Sequence, residues 1–138
     1  MVNGTADKVE FELVSPEKLL FSAVVDMVVV PGTEGDFGVL PGHAPVISLV
    51  RPGCIDIHDD GGVTRRIFVA GGFAEVNGER CTVLASEALS VDELDRGAIQ
   101  ARLDAARKEL AAAENDEARA RFDHDIAVAE AMLAVAPE

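Results

Sequence analysis

Residues 28–46 read VVVPGTEGDFGVLPGHAPV. Three valines run into Pro31-Gly32, and a polar loop follows, Thr33-Glu34-Gly35-Asp36. Phe37-Gly38-Val39-Leu40 comes next, then a second Pro-Gly at Pro41-Gly42, closed by His43-Ala44-Pro45. Proline presets φ for a turn and glycine supplies the φ values other residues avoid, so two turns bracket one short strand. No residue of this loop is a strong nucleophile. It offers two carboxylates and free backbone, which suits docking better than covalent chemistry.

The segments on either side have the same β character. Val9, Phe11 and Leu13 alternate with polar residues and share one face. Ser15-Pro16-Glu17 reads as a turn. Residues 19–30 form one long run in which Leu20, Ala23, Val25, Met27 and Val29 are expected inward, with a bulge near Phe21-Ser22 to keep that register. Residues 46–50 make another strand, and Arg51-Pro52-Gly53 turns it. Cys54, Ile55 and Ile57 open a strand that Asp59-Asp60-Gly61-Gly62 folds back onto residues 63–70. Gly71-Gly72 bends the chain, and Asn77-Gly78 joins residues 73–76 to residues 80–85. Many short strands at close spacing indicate an all-β sandwich or flattened barrel.

Composition changes near Ser90. From residue 91 on there is one Gly, Gly97, and one Pro, Pro137, while Ala is abundant. The expected domains are residues 1–89, all β, and residues 90–138, helical. Ser90-Val91-Asp92-Glu93 has the form of a capping box. Ile99, Leu103, Ala106, Leu110 and Ala113 then recur at steps of four and three, a narrow helical stripe. Glu114-Asn115-Asp116 interrupts it, with Asn115 the expected cap of a second helix. That helix carries Ala118, Phe122, Ile126, Ala129 and Leu133 at the same spacing. Two helices, each about 30 Å long, form an antiparallel hairpin. Its mostly alanine faces bury little area, so it is expected to be marginal alone and able to detach.

Charge and composition exclude several function classes. The 138-residue chain has a formal net charge of −13, with 13 acids in residues 1–91 and 12 in residues 92–138. Nucleic-acid binding and docking on anionic lipid both need a basic face. No apolar run reaches the roughly 20 residues of a membrane span, and the N-terminus shows no signal or transit pattern. Cys54 and Cys81 lack CxxC spacing and read as buried thiols in a reducing, cytosol-like compartment. No metal or cofactor is expected. His43, His58 and His124 are scattered, and there is no phosphate-loop motif. His58 beside Asp56, Asp59 and Asp60 reads either as a metal cluster or as a solvated hairpin tip. Arg65-Arg66 reads as a strand edge. Glu34 and Asp36 would need a pocket and offset pKa values to act as acid and base. No catalytic residue is assigned.

Taken together, Ser15-Pro16-Glu17, the run from Val30-Pro31-Gly32 through Gly42-His43-Ala44-Pro45, Arg51-Pro52-Gly53 and Gly71-Gly72-Phe73-Ala74-Glu75-Val76 resemble the epsilon-subunit family of bacterial F-type ATP synthases, whose mitochondrial equivalent is called delta. The resemblance runs from about Glu10 to the C-terminus. It implies a ten-stranded β-sandwich followed by a two-helix hairpin. It also implies a non-catalytic rotor subunit that binds gamma, sits on the ring of c subunits and can restrain ATP hydrolysis by contact of its helices with the alpha and beta subunits. By that resemblance the acidic loop Glu34-Gly35-Asp36 faces the c-ring, and Ser15 and His43 face gamma. The implied location is peripheral, on the cytoplasmic face of the bacterial inner membrane. A free-standing β-sandwich binding module with a helical lid and an enzyme using Glu34 and Asp36 are the alternatives. Some members bind ATP through an [IL]DxxRA motif on the first helix and arginines on the second. Here Leu94 and Asp95 keep the start of the motif, but Ala98 stands at its Arg position. An ungapped alignment puts Val128 and Met132 at the arginines of the second helix. ATP binding is therefore not expected.

Overall fold

The structure, a computed structural model, describes residues 7–138. The expected lack of a leader falls largely on residues 1–6, outside the described residues. The chain forms two compact units, one ending at Leu89 and one spanning Ser90–Glu138.

The first unit holds ten strands: β1 Val9–Val14, β2 Leu19–Val25, β3 Met27–Gly32, β4 Gly35–Val39, β5 Val46–Val50, β6 Gly53–Asp59, β7 Gly62–Val69, β8 Gly72–Val76, β9 Arg80–Ala85 and β10 Ala88–Ser90. They form one sheet in the order β10-β7-β6-β3-β5-β8-β9-β1-β2, with β4 paired to β3 beside that path. The sheet curls over itself. β1 lies against β3 and β2 against β6, although these strands are far apart in the sheet order. Between the layers sit Val9, Phe11 and Leu13 of β1 with Val28, Val30, Val39, Ile55, Ile57, Val76 and Val83. The Phe11 ring meets Phe21, with centroids 6.0 Å apart. Full burial of such a side chain stabilises the fold by roughly 1.5–3 kcal/mol.

Residues 19–30 depart from the expected single strand. They split at Asp26 into β2 and β3. Val28 and Val30 are buried, rather than Met27 and Val29, because the break at Asp26 resets the alternation. The irregularity in β2 lies where Leu13 pairs Phe21 and Val14 pairs Leu19, so Leu20 is skipped and turns outward. Asp26 has a reason to leave the strand. Lys8 Nζ lies 3.1 Å from its carboxylate and 2.8 Å from that of Asp59, and the Asp60 amide donates to it at 3.0 Å. Hydrogen bonds to Asp59, then Asp26, hold Lys8 above the usual lysine range, and the bond from Lys8 holds Asp26 below the usual carboxylate range. Of the residues weighed as a metal cluster against a solvated hairpin tip, Asp59 and Asp60 gather with Asp26 rather than with His58. The Lys8 ammonium supplies positive charge among them.

Both cysteines are free thiols. Cys81 is fully buried in the core, and that burial pushes its thiol up to about 12. Cys54 is only partly buried, and its thiol is raised by burial and then by the Asp56 charge.

The second unit begins with a 3-10 turn, Val91–Glu93, followed by helices α1 Arg96–Ala112 and α2 Asp116–Val135. Ser90 makes no side-chain cap bond, so the capping box does not start α1. Asp95 does, its carboxylate accepting the Ala98 N–H at 3.1 Å. A short turn intervenes, and the cap belongs to the residue nearest the first free amides. Asn115 caps α2 through the Ala118 N–H at 2.8 Å, as expected. Ile99, Leu103 and Ala106 are buried on α1. On α2 the buried residues are Val128, Ala129 and Met132, so burial extends beyond the single expected stripe.

The core is expected to depend on β1. Phe11→Ala should destabilise the chain by about 3–5 kcal/mol in urea unfolding. A loss below about 1 kcal/mol would mean that Phe11 is not a central core residue.

Candidate partner-binding surfaces

The β3–β4 connection is a tight hairpin. Gly32 pairs Gly35 across a two-residue tip, Thr33-Glu34, and Pro31 pairs Asp36. Both glycines are required. Gly35 has φ +132, and a Cβ on Gly32 would sit 2.8 Å from the Gly35 carbonyl oxygen. The sequence pattern VPGxEG therefore encodes this geometry. Asp36, expected in the loop, belongs to β4. Arg51 from the far end of β5 reaches it: Nη2 donates to the Asp36 carboxylate at 2.5 Å, and Nη1 donates to the Gly32 carbonyl at 2.5 Å. The Arg51 amide also donates to the Pro31 carbonyl at 2.9 Å. Glu34 at the tip is exposed. The two carboxylates are thus not equivalent.

An open groove of about 400 Å³ runs beside this hairpin, lined by Glu34, Asp36, Phe37, His43, Val46 and Ser48 among others. Glu34, Gly35, Asp36 and His43, assigned to two different partners by the sequence, therefore border one surface. The second Pro-Gly turn places His43. Its amide donates to the Leu40 carbonyl at 3.1 Å, and the Gly42 amide donates to the Gly78 carbonyl at 2.8 Å. The His43 ring lies 6.4 Å from that of Phe37, and its Nδ1 is 2.7 Å from the Ala44 carbonyl. This carbonyl can only accept, so Nδ1 carries the proton when that bond forms.

Ser15 lies elsewhere, in the β1–β2 turn. Its hydroxyl accepts from the amides of Glu17 at 3.3 Å and Lys18 at 3.2 Å. Its own turn thus absorbs it. Strand register nevertheless connects its turn to β5, whose Val46 and Ser48 share the groove with His43 while Ile47 and Leu49 point to the other face. Leu49 of β5 pairs Phe73 of β8, Phe73 pairs Leu84 of β9, Leu84 pairs Val14 of β1, and Val14 pairs Leu19 of β2. Paired residues point to the same face. These five form an apolar row across five strands, on the face opposite the core row of Ala74, Val83 and Leu13. Ile47 extends it. Ile47 is 72% exposed, Leu49 66%, Leu19 54% and Phe73 43%. A contiguous exposed apolar patch marks a protein–protein contact. The sequence reading missed it. The signal was present in Val46-Ile47-Ser48-Leu49-Val50, a strand apolar at almost every position and so needing cover on both faces.

In the helical unit, Leu94 is buried and Asp95 serves as the α1 cap. Arg96 does not stand free for a ligand: its Nη2 donates to the Ala136 carbonyl at 3.1 Å. Val128 and Met132 are buried side chains with no charge.

A family profile described as "ATP synthase, Delta/Epsilon chain, beta-sandwich domain" matches residues 8–91. The chain is 59% identical to the ATP synthase epsilon chain of Paramagnetospirillum magneticum over 94% of its own length and 97% of that relative. It is 57% identical to the ATP synthase epsilon chain of Rhodospirillum rubrum over 94% and 96%. Among solved structures it is similar to a chain of the Euglena gracilis mitochondrial ATP synthase OSCP/F1/c-ring assembly, with a TM-score of 0.78, 23% identity, and coverage of 93% of this chain and 81% of that one. A chain of the Tetrahymena thermophila mitochondrial ATP synthase central stalk and c-ring gives a TM-score of 0.64 at 13% identity, with 94% and 97% covered. These two likenesses bear on the fold.

Nucleotide binding by the helices is expected to be absent. From Asp116 onward the chain has six acids and two basic residues, Arg119 and Arg121, so charge-assisted phosphate contacts are scarce. Isothermal titration of the chain with ATP should show no saturable binding below about 1 mM. A saturable isotherm in that range would show that other residues supply the contacts.

Proposed function

Since this chain belongs to the ATP synthase delta/epsilon family, we propose that it works as the epsilon subunit of the central stalk, with one face of its β unit on gamma and one hairpin tip on the c-ring. It is a non-catalytic part of the synthase. It couples rotation of the c-ring, driven by proton flow, to ATP synthesis in the catalytic head. The observation that carries this reading is the apolar row from Leu49 to Leu19, close to a separate, charged tip at Glu34. Two chemically distinct surfaces suit two partners.

Gamma would cover the apolar row, with Ser15 at its β2 end, and would extend to His43 in the groove. Fully buried, apolar contact of this kind supports a lasting subunit interface. The c-ring would meet Glu34, Gly35 and Asp36. Carboxylates there face the basic and amide groups of c-subunit loops, and such pairs set register more than raw affinity. The helical hairpin would reach the alpha and beta subunits and restrain hydrolysis. Among the described residues no helix is long and apolar enough to cross a membrane. The location follows from the complex: peripheral, on the cytoplasmic face of the bacterial inner membrane. Catalysis by Glu34 and Asp36 is disfavoured, because the groove is open and Arg51 engages Asp36.

Glu34→Lys combined with Asp36→Lys should weaken attachment to the c-ring and lower proton-driven ATP synthesis in reconstituted vesicles. The isolated chain should keep its stability to within about 1 kcal/mol, since surface charges contribute little. Unchanged coupling would remove this tip from the interface.

A further inference from the structure

Three groups of the β3–β4 hairpin converge on one residue that the docking assignment does not include, two of them on its side chain. Arg51 donates to the Gly32 carbonyl, donates to the Asp36 carboxylate, and uses its own amide on the Pro31 carbonyl. Gly32 and Asp36 flank the Thr33-Glu34 tip on its two strands. A planar guanidinium that bridges both strands fixes the tip in two directions, which a point charge on a flexible stem does not. The tip has one further tie to β5, from the Thr33 amide to the Leu49 carbonyl at 3.0 Å. The Leu49 side chain belongs to the apolar row. β5 thus carries the apolar surface, and Arg51, the residue that follows it, anchors the acidic tip.

We infer that Arg51 is a positioning residue for the acidic tip, and that Glu34 is the carboxylate the tip presents to the c-ring. The inference rests on the reading of this tip as the c-ring contact. Asp36 acts through Arg51: its carboxylate, though 60% exposed, is paired with the guanidinium, and its role is to hold that group in place. Among the described residues Glu34 has no such partner, and it stands exposed at the apex. Arg51 therefore spans the two surfaces and sets the angle at which Glu34 leaves the gamma-facing strand.

Charge alone and positioning predict opposite signs, which makes the test direct. Removing Arg51 makes the tip more acidic. If Arg51 were a bystander, Arg51→Ala would strengthen docking on a partner that favours carboxylates, or leave it unchanged. Positioning predicts the reverse, a loss of about tenfold in affinity of the full chain for a purified gamma–c-ring subcomplex, about 1.4 kcal/mol. Arg51→Lys, which keeps reach and charge for one acceptor, should recover part of the loss. Glu34→Gln should weaken binding in the native background and have a smaller effect in the Arg51→Ala background, because a misplaced tip has less to lose. In the isolated chain, Arg51→Ala should speed hydrogen exchange at the amides of residues 33–36, with circular dichroism unchanged. Unaltered exchange would overturn the positioning role whatever the partner. Tighter binding by Arg51→Ala, or equal loss from Glu34→Gln in both backgrounds, would also overturn it. Failure of the native chain to bind the subcomplex, with exchange responding as expected, would count against the c-ring assignment and therefore against Glu34 as the presented group.

Discussion

A β-strand turns successive side chains to opposite faces, so a strand that is apolar at every position needs cover twice. In this chain one set of faces closes on Phe11, Val28, Val30 and Ile55. The other set, along β5, β8, β9, β1 and β2, carries Leu49, Phe73, Leu84, Val14 and Leu19. The fold uses the first set for its own stability and leaves much of the second exposed. The hydrophobic effect is non-directional, so the same force that assembles the sandwich favours covering that outer row. Folding and docking are two uses of one alternation.

Specific geometry comes from elsewhere. An apolar row attracts, but it slides. The acidic hairpin adds a directed group, and its shape follows from glycines that a Cβ would disrupt. Gly32 allows the strands to close, Gly35 takes a φ that L-residues avoid, and Arg51 ties both strands to β5. A rotor part must transmit torque without loosening, which is better served by a preorganised tip on a rigid sheet than by a mobile loop. The net charge of −13 fits this division of labour. It disfavours anionic lipid and leaves the exposed carboxylates available to protein partners.

Local patterns in the sequence revealed local structure. The alternation of Val9, Phe11 and Leu13 identified β1, Asn115 identified the second helix cap, and the Ile99-Leu103-Ala106 stripe identified the buried side of α1. Pro41-Gly42 marked a turn, whereas Pro31-Gly32, read as a turn, ends β3 just before the Thr33-Glu34 tip; the resemblance of both segments to a known family carried the functional reading. Features that depend on distant residues were not legible. Asp26 breaks its strand because Lys8 and the Asp60 amide engage it, and no pattern in residues 19–30 reports those partners. Asp95 caps α1 because a 3-10 turn comes first, whereas Ser90-x-x-Glu93 matched the capping pattern equally well. Arg51 lies 15 residues from Asp36. The full outer apolar row needs five strands in register; β5 alone hints at a second covered face but not at its extent.

The claim at the centre is that two surfaces of one small sandwich hold two different rotor partners. Photo-cross-linking in the intact synthase tests it most directly, with a photoreactive amino acid placed at Glu34 in one variant and at Phe73 in another. The expected products join position 34 to the c subunit and position 73 to gamma. Capture of neither partner, or of one same partner from both positions, would contradict it.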